Sequence, residues 1–303
     1  MFEIGKVLID DSHYAGQDVY SDGTIEDEML EIAKTYAKQD YNKIIAQREN
    51  WPIFYHFSHI RENIVSWLPM DKKESVLEIG AGCGAITGAL LEKVGVVTAV
   101  DLSMKRSLIN AYRNKDMGNL KISVGNFEDV EKSLTEKYDI ITLIGVFEYA
   151  DAYIQSQNPY EDFLLKIKKH LSKQGRIVIA IENKYGLKYW AGCKEDHTGG
   201  YFEGLEGYTK SSGAKTFSKN ALQNMFAHTG FEQVEFYYPY PDYKFPQKIF
   251  SDDFLPIPGE LSNNRRNFDQ DRLDLFDERK VFDGLIEDGM FPYFSNSFLV
   301  IIK

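Results

Sequence analysis

The chain has 303 residues, a formal net charge of −11 and an apolar fraction of 43%. That apolar fraction is typical of a folded globular protein, and the length suits one enlarged domain or one domain with appendages. Because proteins that bind phosphate backbones normally present basic patches, the acidic balance predicts that no nucleic acid is a substrate or partner.

Targeting and disulfide signals are also missing from the sequence. The first residues lack a basic stretch followed by an apolar one, so no secretory signal is predicted. No apolar run approaches the ~18 residues of a membrane span, so we predict a cytoplasmic protein with no membrane span. The two cysteines, Cys83 and Cys193, are too few for a disulfide framework.

Residues 1–70 are predicted to form a strand and helices ahead of the main domain. Alternating apolar residues and glycine turn signals predict a short strand or hairpin over residues 1–25. Apolar residues at helical spacing predict a long amphipathic helix over residues 24–49 and a second helix over residues 53–68.

The stretch 74–103 has the pattern of one βαβ unit. A short apolar run at 76–79 predicts a buried strand, and the glycine-rich segment 80–84 predicts a sharp turn with backbone N–H groups open to a ligand. A helical pattern follows, and a second apolar run ends at Asp101. In such units the ligand binds at the carboxyl ends of the strands, and a terminal acid can accept hydrogen bonds from a ribose.

Two glycine patterns overlap in this loop. Gly80, Gly82 and Ala85 match the G-x-G-x-x-G/A dinucleotide fingerprint, which is a weak signal by itself. Glu78 lies two residues before the first glycine, and Gly84 makes the loop G-x-G-x-G, a pattern that favours a different nucleoside cofactor.

Two further motifs, at 124–129 and 138–144, follow at the spacing of the next βα units. With them, the sequence resembles the class I S-adenosylmethionine-dependent methyltransferases over roughly residues 71–240 and the last ten residues. The resemblance implies S-adenosylmethionine as the cofactor and a doubly wound, Rossmann-like α/β sheet of seven strands whose last strand is antiparallel. It also implies that residues 1–70 form an N-terminal helical lid and that residues 71–303 form the methyltransferase domain.

Periodicity places the elements of that domain, because strands and helices alternate regularly from residue 71. We predict strands at 75–79, 96–101, 120–124, 138–144, 175–181, 232–238 and 296–302, and helices at 85–93, 104–115, 160–171 and 218–228. Two aromatic-rich segments, 182–216 and 239–293, interrupt the alternation, so we predict that both fold as insertions on the substrate side.

The resemblance assigns a cofactor pocket to residues at the strand ends. It implies that Glu78 lies near the cofactor's ammonium group, that Asp101 accepts from both ribose hydroxyls, and that Arg61 reaches the cofactor's carboxylate. It also implies that Asn126 accepts from the adenine amino group and that Phe127 stacks on the base. The full predicted set is Glu78, Gly80, Ala81, Gly82, Gly84, Asp101, Leu102, Ser103, Asn126, Phe127, Glu128, Gly145, Val146 and Arg61.

Methyl transfer is an in-line displacement, and a hydroxyl acceptor benefits from a general base. Glu148, Glu182 and His197 are the candidate catalytic residues, each in a loop at the carboxyl edge of the predicted sheet. The acids adjacent to His197 are expected to raise its basicity. No metal-ligand motif is present, so no metal-binding residues are predicted, and the need for a metal stays open.

The aromatic insertions suggest a class of acceptor. The segments IENKYGLKYWAG and EDHTGGYFEG are similar to those of a bacterial subgroup linked to surface-carbohydrate biosynthesis. Tyr185, Trp190, Tyr201 and Tyr208 are candidates to stack on the apolar faces of sugars. We therefore expect O-methylation of a small-molecule or carbohydrate acceptor.

Two other functions stay open at this point. An NAD(P)-dependent reductase would use the alternative glycine pattern and a helical Tyr-x-x-x-Lys pair, but Pro241 lies between Tyr240 and Lys244 and opposes a helix there. A non-catalytic scaffold that retains cofactor binding is the other, although the intact glycine loop and Asp101 argue against decay of the pocket.

Overall fold

The computed structural model describes residues 1–208, 213–264 and 271–303, so short parts of both predicted insertions lie outside the described residues. The chain forms two compact units, the first made of Met1–Leu143 and Lys166–Arg176 and the second of Ile144–Leu165 and Ile177–Lys303. Within the described ranges, no helix has both the length and the apolar character needed to cross a bilayer.

The first unit is built on a mostly parallel sheet. Its strands are β1 (Phe2–Ile4), β2 (Val7–His13), β3 (Ser75–Ile79), β4 (Val96–Asp101), β5 (Leu120–Gly125) and β6 (Tyr138–Ile144). Their order is β1-β2-β5-β4-β3-β6, and every pair is parallel except the hairpin of β1 with β2. Strands β3 to β6 lie where the sequence predicted them, because strands buried on both faces have nearly continuous apolar runs.

The N-terminal hairpin extends this sheet, and the prediction missed that pairing. β2 runs parallel to β5, with Leu8 opposite Lys121. Val7 and Ile9 are buried while their neighbours are partly exposed, and so short an alternation carries no information about its partner strand. With β9 of the second unit, the hairpin brings the strands in the described residues to ten. The predicted number of seven is therefore wrong.

The helices of the first unit are α1 (Ile25–Thr35), α2 (Tyr41–Arg48), α3 (Trp51–Phe57), α4 (Asn63–Ser66), α5 (Thr87–Lys93), α6 (Met104–Arg113) and α7 (Phe127–Val130). The helix predicted over residues 24–49 is divided, because Tyr36 is extended and a 3₁₀ turn at Lys38–Asp40 precedes α2. The helix predicted over residues 53–68 is broken at Ser58, whose hydroxyl accepts from the N–H of Ile60 in the next turn.

Helices α1 to α3 share a buried cluster with α6 and with the glycine-rich turn after β3. The cluster contains Met29, Ile32, Ala33, Tyr41, Ile44, Ile53, Phe57, Cys83 and Ile109. The N-terminal helices are thus packed onto the elements that surround the predicted cofactor pocket. Their action as a lid stays a prediction.

The second unit has an antiparallel sheet of β7 (Leu171–Glu182, here from Ile177), β8 (Val234–Tyr240), β9 (Lys248–Ser251) and β10 (Ser297–Ile302), in the order β7-β10-β8-β9. β10 runs antiparallel to both β7 and β8, and all its residues are buried. β9 was not predicted, because its four residues follow a proline-rich segment that indicates a loop. β7 begins at Leu171 rather than at residue 175.

The remaining helices are α8 (Ala150–Tyr153), α9 (Pro159–Lys168, in this unit as far as Leu165), α10 (Leu187–Trp190), α11 (Lys219–His228), α12 (Glu278–Glu287) and α13 (Phe291–Phe294). Aromatic residues of the second insertion pack against one another and against β8. Phe291 lies edge to face with Phe250 and tilted to Phe282, with ring centroids 6.0 Å apart in each pair, and it lies 5.6 Å from the ring of Tyr238 in β8. This packing explains why so many aromatic residues occur in a segment with little periodicity.

Candidate functional site

The glycine-rich turn after β3 forms one wall of the candidate cofactor site in the first unit. Gly80, Gly82 and Gly84 have φ angles of 70°, 52° and 73°, a region that favours glycine. Gly80 and Ala81 both donate to the carbonyl of Val100 (2.8 and 3.1 Å), and Gly84 donates to the carbonyl of Ala81 (3.0 Å). The expectation that these N–H groups are open to a ligand is therefore wrong, because the tight turn pairs them within the chain.

Gly82 and Gly84 differ in the space around their α-carbons. A Cβ atom built on Gly84 would lie 2.3 Å from Oδ1 of Asn110, so this glycine allows the turn to pack against α6. A Cβ atom built on Gly82 would meet no heavy atom within 4 Å. The open space at Gly82 fits the methionine portion of the predicted cofactor.

Asp101 ends β4, and two backbone N–H groups hold its carboxylate. Oδ2 accepts from the N–H of Gly82 at 2.7 Å, and Oδ1 accepts from the N–H of Ser103 at 2.9 Å. Burial raises the pKa of Asp101, although these two hydrogen bonds oppose the shift. Since each carboxylate oxygen has a second lone pair, the fixed carboxylate is able to accept from two ribose hydroxyls.

Glu78 offers a buried acceptor beside the same turn. It is 2% exposed, and Oε2 accepts from the hydroxyl of Thr87 at 2.7 Å. Oε1 has no hydrogen-bond partner among the described residues. Burial, reinforced by the charge of Asp101, raises the pKa of Glu78 to about 8. A buried oxygen without a donor is costly, so its position fits the ammonium group of S-adenosylmethionine.

Two other residues of the predicted set cap helices. The hydroxyl of Ser103 accepts from the N–H of Arg106 at 3.2 Å, and Oδ1 of Asn126 accepts from the N–H of Glu128 at 3.0 Å. The side-chain oxygen that we expected to bind the adenine amino group thus already caps α7. Glu128 itself pairs with Lys166, with 3.2 Å between Oε1 and Nζ.

Phe127, Leu102 and Arg61 of the predicted cofactor-binding set are buried or half-buried. The ring of Phe127 lies edge-on to that of His170, with centroids 6.5 Å apart, and Leu102 is half-buried. Arg61 is 4% exposed, and its guanidinium carbon lies 4.3 Å from the centre of the Tyr55 ring. The contacts of these residues with a cofactor stay predictions.

Gly145 and Val146 belong to the second unit. Gly145 has a φ of 70°, and a Cβ atom on it would lie 2.6 Å from the hydroxyl oxygen of Tyr243. The need for glycine at this position therefore comes from the close approach of Tyr243. Val146 is half-buried at the start of the turn that follows.

Sequence reasoning missed a set of ionic contacts that fasten residues 18–26 to α6. Asp18 accepts from the first two N–H groups of α6, at 2.7 and 3.2 Å. Arg106 of α6 donates from Nε to Glu26 at 2.7 Å and from Nη2 to Asp22 at 2.8 Å. Glu26 is fully buried and Arg106 is 6% exposed. No motif predicts this set, because the acids occur singly in a segment without strong periodicity.

The three candidate catalytic residues meet in the second unit. Nε2 of His197 lies 3.3 Å from Oε2 of Glu182 and 3.9 Å from Oε1 of Glu148. Neither carboxylate has exposed surface. The hydroxyl of Tyr149 lies 2.9 Å from Nδ1 of His197 and orients the ring. We refer to Glu148, Glu182 and His197 as the Glu-His-Glu cluster.

The members of the Glu-His-Glu cluster differ in charge. Burial opposes protonation of His197, but the charges of Glu182 and Glu148 outweigh it and raise the pKa of His197 to about 9. Burial favours the neutral form of Glu182 as well, yet Lys244 and His197 hold its pKa well below the usual range. Burial and the charge of Glu182 raise the pKa of Glu148, whose carboxyl oxygens have no hydrogen-bond partner among the described residues.

Two lysines complete this environment, and neither was predicted to belong to it. Nζ of Lys244 lies 2.8 Å from Oε1 of Glu182 and 2.9 Å from Oδ2 of Asp196. Nζ of Lys188 lies 2.9 Å from Oδ2 of Asp196 and 2.8 Å from Oδ2 of Asp242. Apart from Lys188 and Asp196, the partners are distant in sequence, so no local spacing could have revealed the whole set.

A family model described as a methyltransferase domain matches residues 54–235, which is more than half of the chain. The ribosomal RNA small subunit methyltransferase A of Borreliella burgdorferi is 28% identical over 144 residues, covering 46% of this chain and 50% of that protein. The protein of the same name from Borrelia garinii subsp. bavariensis is 35% identical over 134 residues, covering 42% and 47%. The chain thus spans about half the length of these curated relatives.

The relatives overturn one prediction. We expected no nucleic acid as substrate or partner, and this exclusion is wrong, because proteins similar to this chain are ribosomal RNA methyltransferases. A net charge is summed over a whole chain and does not describe the local surface on which a substrate binds.

The fold comparison agrees with the family match. The crystal structure of a SAM-dependent methyltransferase from Archaeoglobus fulgidus has a TM-score of 0.50 with this chain at 15% identity, covering 82% of this chain and 96% of that one. The parallel strands β3 to β6, the glycine-rich turn and Asp101 are the parts of the fold in which the cofactor site was predicted. The chain therefore belongs to the methyltransferase domain family, and it is a class I S-adenosylmethionine-dependent methyltransferase.

Proposed function

We propose that this methyltransferase methylates a hydroxyl group of a small-molecule or carbohydrate acceptor, and that the acceptor binds at the Glu-His-Glu cluster. The observation that carries the proposal is the buried carboxyl group of Glu148, which lacks a hydrogen-bond partner among the described residues. An unsatisfied buried acid is costly for the fold, and such groups are concentrated at functional sites.

The first unit holds the cofactor in this account. S-adenosylmethionine, when bound, supplies a methyl group on a positively charged sulfur, a good leaving group. The fixed carboxylate of Asp101 binds the ribose hydroxyls, and the free oxygen of Glu78 accepts from the ammonium group. Gly82 leaves the space that the methionine portion occupies. These roles rest on the open space and free oxygen described above.

The second unit handles the acceptor's proton. His197 is protonated at neutral pH, so it is not the base, and Glu182 is tied to His197 and Lys244. Glu148 is the remaining acid, and burial with the charge of Glu182 raises its pKa to about 8, so it acts as a base in its ionised form, which dominates above that pH. One of its oxygens then accepts the hydroxyl proton as the oxygen–carbon bond forms and the sulfur–carbon bond breaks. The electron pair of the broken bond stays on sulfur. His197 and Lys244 keep the charge of Glu182 balanced during the transfer.

A carbohydrate acceptor is supported by aromatic side chains near the cluster in sequence. Tyr185, Trp190 and Tyr201 are 37%, 45% and 36% exposed, so their rings are available for stacking. Tyr208 is different, because it is buried and its hydroxyl lies 2.6 Å from that of Thr216. We therefore assign sugar contacts to the three exposed rings and remove Tyr208 from that role.

Ribosomal RNA is the second candidate acceptor. The curated relatives that carry this activity in their names favour it, although they match about half of their own length. A direct comparison of acceptors separates the two candidates. Release of S-adenosylhomocysteine is measured with free sugars, nucleotide sugars and small-subunit ribosomal RNA, using the wild type and Glu148→Gln.

We expect turnover with a sugar or another small hydroxyl compound. Glu148→Gln should lower kcat by about 10²- to 10⁴-fold, which is the usual contribution of general acid–base catalysis. Asp101→Ala serves as the cofactor-site control and lowers turnover with every acceptor. If only the RNA were methylated, ribosomal RNA would be the acceptor and the small-molecule proposal would be wrong. Equal rates for the wild type and Glu148→Gln would remove the role of Glu148.

A further inference from the structure

Ion pairs shorter than 4 Å connect the Glu-His-Glu cluster to Lys244, Asp196, Lys188 and Asp242. This connected set has four carboxyl groups, two lysines and one histidine. It is neutral when both Glu148 and His197 hold a proton, and it carries two excess negative charges when neither does. A divalent cation bound in place of the two protons would keep this buried set neutral.

The two lysines join carboxylates other than that of Glu148. Lys188 bridges Asp196 and Asp242, and Lys244 bridges Asp196 and Oε1 of Glu182. Both oxygens of Glu148 have no hydrogen-bond partner in the described part of the chain, and the residue has no exposed surface. Oε1 of Glu148 lies 3.9 Å from Nε2 of His197.

The geometry suits a metal ion. One ligand atom from each of Glu148, Glu182 and His197 can be chosen so that all three lie within 4.8 Å of one another. Ligands that share an ion with bonds of about 2.0–2.2 Å lie no more than about 4.4 Å apart, so a small closure of the cluster completes the site. The hydroxyl of Tyr149 lies 2.9 Å from Nδ1 of His197, which leaves Nε2 facing the two carboxylates. Such a partner for the second ring nitrogen is usual where histidine binds a metal.

We propose that Oε1 of Glu148, Oε2 of Glu182 and Nε2 of His197 bind one divalent cation. Two carboxylates and one imidazole suit Mn²⁺ or Mg²⁺, with water or the acceptor in the other positions. This inference rests on the proposed function, since the ion would bind the acceptor's hydroxyl oxygen and lower its pKa. The second oxygen of Glu148 stays free to accept the proton.

Binding of Mn²⁺ tests the proposal without any acceptor. The full chain is treated with a chelator, dialysed, and titrated with Mn²⁺ while the signal of the free ion is recorded by electron paramagnetic resonance. The proposal expects one site per chain with a dissociation constant below 1 mM, a threshold set by roughly the weakest affinities of extracellular calcium sites. Glu148→Gln and His197→Gln should each weaken binding at least tenfold.

Glu131→Gln is the matched control. Glu131 pairs with His170 in the first unit at 3.1 Å, so this variant removes a carboxylate from another partly buried His–Glu pair. It should leave Mn²⁺ binding unchanged. Thermal melting establishes that each variant is folded, and Glu148→Gln keeps the side-chain shape if His197→Gln fails that check.

The result separates this inference from the proposed function. No bound Mn²⁺ in the wild type, or equal binding in the wild type and Glu148→Gln, would overturn the metal site. S-adenosylhomocysteine binding is measured on the same samples. If the protein binds S-adenosylhomocysteine and methylates its acceptor in the presence of a chelator, the proposed function stands and the metal site is rejected.

Discussion

Nζ of Lys244 lies 2.8 Å from Oε1 of Glu182, a carboxylate with no exposed surface. The neighbouring carboxylate of Glu148 is equally buried, yet it has no hydrogen-bond partner in the described residues. Two acids in one cluster thus have opposite effects on the fold. Glu182 is integrated into an ion-pair network, whereas Glu148 is retained at a cost for which its proposed role would account.

Replacing each acid by leucine should show this difference. Glu182→Leu removes the carboxylate that Lys244 and His197 share, although Lys244 keeps Asp196 at 2.9 Å. We expect the free energy of unfolding to fall by about 3–5 kcal/mol. Glu148→Leu removes an unsatisfied group, so we expect an increase of about 1–3 kcal/mol. Urea denaturation with a chelator present measures both. Destabilisation by both variants would contradict the assignment of Glu148 as an unsatisfied acid.

Alanine at Gly82 and at Gly84 should separate ligand space from packing. Both substitutions force an L-residue into the left-handed region, at a cost of about 1–2 kcal/mol. At Gly84 the new methyl group also meets Asn110, so we expect a further loss of about 1–3 kcal/mol from overpacking. At Gly82 the methyl group meets only the cofactor.

Cofactor binding is the second measurement on these glycine variants. Titration with S-adenosylhomocysteine should show at least a tenfold loss for Gly82→Ala, a ratio equivalent to about 1.4 kcal/mol. Unchanged affinity for Gly82→Ala would show that the open space is not occupied by the cofactor.

Cofactor affinity should depend on the protonation of Glu78. Burial and the charge of Asp101 raise its pKa to about 8, against the opposing effects of the Thr87 hydrogen bond and the charge of Arg113. Below pH 8 the group is neutral, and binding of the ammonium group must expel its proton. We therefore expect the affinity for S-adenosylhomocysteine to rise as the pH increases from 6 towards 8 and to level off above it.

Glu78→Gln is the control for this pH dependence. Glutamine keeps the shape of the side chain and cannot titrate, so the weaker binding of this variant should be independent of pH over the same range.

The raised pKa of Glu78 also has a consequence for stability. Because the folded state holds the proton up to a higher pH, the free energy of unfolding should fall as the pH rises from about 4.5 to about 8. If the affinity for S-adenosylhomocysteine varied with pH in the same way for the wild type and Glu78→Gln, the role of Glu78 in cofactor binding would be disproved.

Arg106 and Glu26 should be energetically coupled. Each is buried, and Nε of Arg106 lies 2.7 Å from Oε1 of Glu26. Arg106→Met leaves the buried carboxylate of Glu26 without its cation, so we expect a loss of about 3–5 kcal/mol. Glu26→Met should cost less, because Asp22 still accepts from Nη2 of Arg106 at 2.8 Å. The double variant should lose less than the sum of the two, since neither member of the pair is then left without the other. Additive losses would mean that the pair does not fasten residues 18–26 to α6.

The sequence was most informative where one short segment determines the structure. The apolar runs of β3 to β6 predicted buried parallel strands, and the turn with Gly82 and the terminal acid Asp101 predicted the cofactor site. Glu148, Glu182 and His197 were each predicted as loop residues. In the structure, Nε2 of His197 lies within 4 Å of a carboxylate oxygen of each glutamate. The family match confirms the class of enzyme.

Features that depend on contacts distant in sequence were missed. Nothing local indicates that β2 pairs with β5 or that Lys244 pairs with Glu182. The break at Ser58 was hidden because apolar residues keep helical spacing on both sides of it. The free oxygens of Glu148 could not be predicted at all, since they depend on what every neighbouring element leaves unfilled.

Whether the pocket at Asp101 binds S-adenosylmethionine is decided by isothermal titration of the wild type and Asp101→Ala with S-adenosylhomocysteine and, separately, with NAD(H). We expect the wild type to bind S-adenosylhomocysteine with micromolar affinity and to show no binding of NAD(H). Asp101→Ala should bind S-adenosylhomocysteine at least tenfold more weakly, because it loses charge-assisted hydrogen bonds worth about 1.5–3 kcal/mol each. Binding of NAD(H) in place of S-adenosylhomocysteine, or equal binding by both proteins, would contradict this assignment of the pocket.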